Sequence, residues 1–131
     1  MEISIESANA MVNAYFPGLI GVEFTETAPG RSVCRATVNT KMHNPGGILH
    51  GGVPYTLADT GMAIALMQML DEGQRLSTLE IKMTYFKPVV EGDIICTTTV
   101  VNKGKRIAFL ESEVTDGARI VAKATGTYYI A

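Results

Sequence analysis

An aspartate and a glycine-rich loop stand close together in the run NPGGILHGGVPYTLAD, from Asn44 to Asp59. Asp59 is surrounded by Leu, Ala, Gly, Ile and Met positions, which predict a largely apolar helix. An ionised carboxylate is costly to bury without partners, so two interpretations are open. Asp59 belongs to a narrow polar surface stripe with Thr56 and Thr60, or it lies at the edge of an apolar cavity. In the cavity, desolvation would raise its pKa and suit it to act as a general base.

The residues His50-Gly51-Gly52 lead into the same predicted helix. Glycine lets the backbone approach a ligand closely, and the first N–H groups of a helix have no partner within it. The helix dipole favours negative charge at this end, so the site could bind the oxyanion formed when a carbonyl is attacked. One such donor contributes roughly 10²–10³-fold to a rate. Alternatively, the two glycines only form a sharp turn.

Asn44 lies in the same loop, where it either orients a water or carbonyl or simply forms a turn. His43 and His50 have no Cys, Glu or third His at ligand spacing, so we expect no metal site. We expect His50 to fix the loop through side-chain hydrogen bonds. The sequence contains no GxSxG, catalytic Cys–His, Walker or Rossmann pattern.

A basic cluster, Lys103-Gly104-Lys105-Arg106, falls at a predicted hairpin tip. Basic turns are common solubilising features. Lys and Arg side chains also form strong, charge-assisted hydrogen bonds to phosphate. The pattern therefore permits either a solvated turn or a site for a nucleotide-like group.

The elements that must position these residues follow from the apolar periodicity and the turn residues. A helix over 54–71, apolar nearly all round, should be buried, and a curved antiparallel sheet supplies a surface that wraps it. The predicted fold is therefore α+β. Asp116-Gly117 predicts a two-residue hairpin. The other predicted elements are a helix over 7–16, a loop over 41–52, and strands over 22–27, 32–39, 76–86, 93–101, 107–115 and 120–130.

The composition narrows the class of protein. A chain of 131 residues suits one domain, and its net charge of −2 argues against general nucleic-acid binding. Cys34 and Cys96 lie in apolar, strand-like stretches, where we expect buried free thiols. The N-terminal segment lacks a signal-peptide pattern and the apolar stretch 62–70 is too short to span a bilayer, so we expect a cytoplasmic protein.

The run NPGGILHGGVPYTLADTGMAIAL resembles the signature of the hotdog-fold acyl-CoA thioesterases of the phenylacetate-degradation (PaaI-like) type, relatives of the 4-hydroxybenzoyl-CoA thioesterase group. That signature is an Asn, a short Gly loop, HGG, and a helix that carries a carboxylate in a LAD-like triplet. The stretches EIKMTYFKPVVEGD and VVNKGKRIAFLESEV are similar to the family's strands. The resemblance covers nearly the whole chain and implies one hotdog domain over residues 1–131, a curved antiparallel sheet around one long central helix.

The resemblance also implies a division of roles. Asp59 activates water, or is itself the nucleophile, in the hydrolysis of an acyl-CoA thioester to a free acid and CoA. Asn44 helps to hold the attacking water, the Gly51 N–H polarises the thioester carbonyl, and His50 supports the loop. Thr78 matches a position near the water that is often Ser or Thr. No metal or redox cofactor is implied.

The family builds its site across a dimer interface, so Asn44 and His50 would face Asp59 of a neighbouring chain, and two dimers commonly form a tetramer. The cluster of Lys103, Lys105 and Arg106 would lie near the CoA phosphates. Pro54 is bulkier and stiffer than the family pattern leads us to expect. The acyl group, aromatic or a short or medium fatty chain, stays open. The alternative function is a hotdog module that binds acyl-CoA without cleaving it.

Overall fold

Two α-helices and six β-strands are present in the computed structural model, which describes residues 1–131. Short 3₁₀ turns follow the first helix and the second strand. The bounds are α1 Ile5–Asn13, β1 Glu23–Ala28, β2 Arg31–Thr37, α2 Gly52–Met67, β3 Leu76–Tyr85, β4 Asp93–Lys103, β5 Ile107–Thr115 and β6 Ile120–Ile130, with 3₁₀ turns at Phe16–Ile20 and Thr40–Met42.

The strands form one antiparallel sheet in the order β1-β2-β4-β5-β6-β3. The chain therefore leaves β2 near one edge, passes through α2, and joins the opposite edge as β3. Nine α2 residues are buried, among them Leu57, Met62 and Leu66. Burial of each of these three large side chains contributes about 1.5–3 kcal/mol. The predicted α+β architecture, with a sheet wrapped around a long apolar helix, is confirmed.

Two predicted boundaries are wrong in instructive ways. The long helix ends at Met67 rather than at residue 71, and the Gln68 side chain at its C-cap is buried and bonded to distant backbone. Its Oε1 accepts a hydrogen bond from the Ile3 N–H at 2.9 Å, and its Nε2 donates to the Ala28 carbonyl at 3.1 Å. The predicted two-residue hairpin at Asp116 is a four-residue turn, because the Asp116 Oδ1 accepts the N–H groups of Ala118 and Arg119.

The two edges of the sheet differ in how they are covered. On β1, the Asn9 side chain of α1 accepts a hydrogen bond from the Phe24 N–H at 2.6 Å and donates to the Phe24 carbonyl at 3.2 Å. One amide thus occupies the N–H and carbonyl of Phe24, which a further strand would otherwise use. No element covers the outer edge of β3, where Leu79 is 57% exposed.

The two cysteines lie directly opposite each other, Cys34 on β2 and Cys96 on β4. Both are free thiols without solvent exposure, as predicted. Neither helix combines the length and the hydropathy that a membrane span requires.

Candidate active site

Asn44 begins a tight turn in the loop that precedes α2. Its N–H donates to the Ile48 carbonyl at 2.8 Å, and its carbonyl accepts from the Gly47 N–H at 3.0 Å. Gly47 adopts a φ of 81°, which few other residues tolerate. The Asn44 Oδ1 accepts from the Gly46 N–H at 2.8 Å, whereas its Nδ2 has no acceptor within the chain. The turn therefore fixes the side chain and leaves its NH₂ group free to donate.

His50 and the two glycines organise the start of α2. The His50 Nδ1 accepts a hydrogen bond from the Gly52 N–H at 2.8 Å, so Nδ1 carries no proton. The next N–H groups are also paired, Val53 with the His50 carbonyl and Tyr55 with the Gly51 carbonyl. The Gly51 N–H has no acceptor within the chain. This one donor at the helix start is available to an oxyanion.

Tyr85 holds Gly51 from the other side. Its hydroxyl donates to the Gly51 carbonyl at 2.6 Å. A Cβ atom at Gly51 would lie 3.0 Å from the Tyr85 ring, so a larger residue would displace one of them. The close contact favours glycine at this position of the HGG run.

An open cleft of about 440 Å³ lies beside this loop, and both Asn44 and Gly51 line it. Pro54 lies in the first turn of α2, where no helical hydrogen bond requires an N–H, and it forms part of the wall. Apart from Lys87, the remaining lining is largely apolar and consists of Ile48, Leu49, Tyr85, Phe86, Pro88, Val89 and Val121. The cleft thus places two free donors at the side of an apolar space.

Asp59 lies on the exposed face of α2, with Gly52 and Tyr55, and does not line this cleft. The expectation of an apolar cavity edge is therefore not met within one chain. The carboxylate is nevertheless flanked by protein. Desolvation by burial raises its pKa from the usual 3.8, and a hydrogen bond from the Tyr128 hydroxyl to Oδ1, at 3.3 Å, lowers it in part. A carboxylate with a raised pKa can accept a proton from water.

A profile of the thioesterase superfamily matches residues 46–123, more than half of the chain. The chain belongs to the thioesterase superfamily.

Individual relatives agree with this assignment. Acyl-coenzyme A thioesterase 13 of Homo sapiens is 30% identical over 130 residues, which cover 95% of this chain and 92% of the relative. The structure of a mutant of phenylacetic acid degradation protein PaaI from Thermus thermophilus covers 86% of this chain and 95% of its own, at 29% identity and a TM-score of 0.80. Thioesterase HI1161 of Haemophilus influenzae superposes over 100% of this chain and 92% of its own, with a TM-score of 0.93 at 23% identity. The predicted hotdog fold and the PaaI-like resemblance are confirmed.

Tyr128, like Tyr85, is a residue of this thioesterase site that sequence reasoning missed. It is fully buried on β6, and its hydroxyl lies against Asp59. Thr78 on β3 stands directly opposite it in the ladder, so Thr78 shares the helix side of the sheet. The alternation of side chains along β6 places Gly126 and Tyr128 on the same face of the strand. Gly126 packs on Met62 of α2, so this face is the one toward the helix.

The basic cluster of the thioesterase lies at the β4–β5 connection, as predicted. Lys103 ends β4, and Lys105 and Arg106 precede β5. None of the three forms an ion pair with a carboxylate, and none lines the cleft beside Gly51. The Arg106 guanidinium donates to the Tyr129 hydroxyl at 3.2 Å. The cluster is therefore free to bind an anion, at a place separate from the two donors.

Neither histidine belongs to a group of ligands. No three His, Cys, Asp or Glu side chains lie together in a way that could hold a metal ion. The His43 Nε2 donates to the Val90 carbonyl at 2.7 Å, and the His50 Nδ1 is bonded to Gly52. Both imidazoles thus hold backbone on either side of the Asn44 turn.

Proposed function

We propose that this thioesterase hydrolyses acyl-CoA thioesters to a free acid and CoA. The observation that carries the proposal is the unpaired Gly51 N–H at the start of α2, beside the free Asn44 Nδ2 and an apolar cleft. Family membership supports thioester hydrolysis, and the relative named acyl-coenzyme A thioesterase 13 supports CoA as the carrier. Residues 1–131 act as one hotdog domain.

In the proposed mechanism, the thioester carbonyl oxygen accepts a hydrogen bond from the Gly51 N–H. Negative charge that develops on this oxygen is then stabilised by the N–H and by the helix dipole, at a gain of roughly 10²–10³-fold. Asp59 removes a proton from water as the water attacks the carbonyl carbon; the C–S bond then breaks, the carbonyl re-forms, and the proton passes to the departing CoA sulfur. Alternatively, Asp59 attacks the carbon itself, CoA leaves, and water hydrolyses the acyl-aspartyl anhydride that results. Asn44 binds the water through Nδ2. His50 keeps the loop in place by accepting the Gly52 N–H, and this mechanism requires no cofactor.

The donors and the carboxylate come from two chains in this proposal. Asn44 and Gly51 line the cleft, while Asp59 lies on the face of α2 that the chain leaves open. The uncovered edge of β3 supports pairing with a second copy of the chain, because Asn9 already occupies the edge at β1. A two-fold dimer would then bring each Asp59 to the other chain's cleft, and two dimers would form a tetramer.

The charge and polarity of the surface indicate where the CoA and acyl parts of the substrate bind. Lys103, Lys105 and Arg106 bind the phosphates of CoA, since their charges have no carboxylate partner in the chain. The acyl group occupies the apolar cleft, which accepts an aromatic or a short or medium aliphatic group. The free thiols of Cys34 and Cys96 support a reducing, cytoplasmic location.

Substitution of the carboxylate tests the function directly. Asp59→Asn should lower turnover of a panel of acyl-CoAs by roughly 10²-fold or more, the scale of lost general-base catalysis. Free-thiol release measures turnover, and retained acyl-CoA binding by the variant would show that the site is intact. Near-wild-type hydrolysis by Asp59→Asn would contradict the proposal. Acyl-CoA binding by the unaltered chain without any thiol release would favour the binding module instead.

A further inference from the structure

Packing of the aromatic ring does not explain why the buried residue at position 128 carries a hydroxyl group. Tyr128 is the largest of the fully buried side chains, and its hydroxyl lies against the Asp59 side chain. The two acceptors of this hydroxyl are the Asp59 Oδ1 at 3.3 Å and the Asp59 carbonyl at 3.5 Å. If packing alone selected the residue, phenylalanine would fill the same space without a hydroxyl that needs a partner.

Resting on the proposed function, we infer that Tyr128 positions the Asp59 carboxylate for catalysis. A carboxylate on the exposed face of a helix can rotate about its side-chain bonds, and a hydrogen bond to Oδ1 restricts that rotation. The bond leaves Oδ2 for the attacking water. Tyr128 thereby acts through Asp59 and makes no contact of its own with the reacting atoms.

The groups around Asp59 point to the same role. A hydrogen bond to a carboxylate favours its ionised form, so Tyr128 counteracts the desolvation that raises the Asp59 pKa. Burial raises the pKa of the Tyr128 hydroxyl, and a hydrogen bond with Thr78, opposite it on β3, lowers it. The charge of Asp59 and the hydrogen bond to it raise this pKa further, as does the neighbouring Tyr55 of α2. Asp59 forms no ion pair with a Lys, Arg or His of the chain. Tyr128 is therefore the titratable neighbour that acts on it.

Tyr128→Phe tests this role, because it removes the hydroxyl and keeps the buried ring. We expect kcat to fall about tenfold with little change in KM, and the acid limb of the kcat/KM profile to move up by about one pH unit, the scale of one hydrogen bond to a charged group. Tyr129→Phe is the matched control. Its hydroxyl bonds to Arg106 rather than Asp59, so the acid limb should stay in place.

Two further variants separate the possible outcomes. In an Asp59→Asn background, Tyr128→Phe should cause no additional loss of kcat, because the residue through which it acts is already altered. 3-Fluorotyrosine at position 128 is a more acidic phenol of almost the same size. It should move the acid limb of the kcat/KM profile to lower pH, and it tests the inference even if Tyr128→Phe folds poorly. An unchanged acid limb in both position-128 variants, with Asp59→Asn inactive, would overturn the positioning role alone. Near-wild-type activity of Asp59→Asn would overturn the proposed function, and this inference with it.

Discussion

Two inactive variants, when combined, should restore activity if the site is shared between chains. Asn44→Asp keeps an oxygen that can accept the Gly46 N–H and removes the Nδ2 donor. Asp59→Asn keeps the shape of the side chain and removes the base. In a hybrid dimer, one site would carry both lesions, and the other would combine an intact Asn44 with an intact Asp59 from the partner.

The expected recovery follows from the two-fold symmetry. Random exchange of equal amounts makes half of the dimers hybrid, each with one intact site of two, so the mixture should reach about a quarter of wild-type turnover. The assay is free-thiol release, with exchange verified by native mass spectrometry of the mixture. Each variant exchanged with itself is the control. If Asn44 and Asp59 act within one chain, every site carries a lesion, and an exchanged mixture no more active than its components would refute the shared site.

Three further predictions concern pH dependence and stability. The kcat/KM profile should fall as the pH drops through the raised pKa of Asp59, because the base must be ionised; an acid limb at the usual value of 3.8 would contradict this. Folding raises the pKa of Asp59, so the ionised carboxylate destabilises the folded state at pH values above its unfolded pKa. Asp59→Asn should therefore have a higher Tm than wild type at neutral pH. This difference in Tm should disappear at low pH, where the carboxyl group is protonated in both states. Asn9→Ala should lower the free energy of unfolding by about 1–3 kcal/mol in denaturant titrations, because it removes both bonds that cap β1. Asn13→Ala, an exposed position on the same helix, should have little effect, and equal losses in the two variants would exclude the cap as the cause.

Much of the fold could be predicted from local sequence patterns. The features that could not be predicted depend on contacts between residues distant in sequence. The bounds of β5 and β6 match the prediction because their β-branched residues and turn residues act within a few positions. The end of α2 was missed because Gln68 is held by Ile3 and Ala28, which are distant in sequence. Likewise, no local signal shows that β3 crosses the sheet to pair with β6.

The same distinction applies to the site. Gly51, His50 and Asp59 could be singled out because a loop, a helix start and an isolated carboxylate are features of one short run. Tyr128 is 69 residues further along the chain than Asp59, and its role depends on which face of β6 meets α2. The sequence alternation placed it on one of two faces, and only the packing of Gly126 against Met62 shows which.

The position of Asp59 explains why a shared site suits this fold. Because the sheet wraps α2, nine of its sixteen residues are buried, and a carboxylate among them would bear the full cost of desolvation. Asp59 bears only part of that cost, because it faces outward in a stripe with Gly52 and Tyr55. An outward carboxylate in water would be a weak base, so a partner that covers the stripe would raise its pKa further. In the proposed dimer, the contact that completes the site also makes Asp59 a stronger base, and catalysis should therefore depend on association.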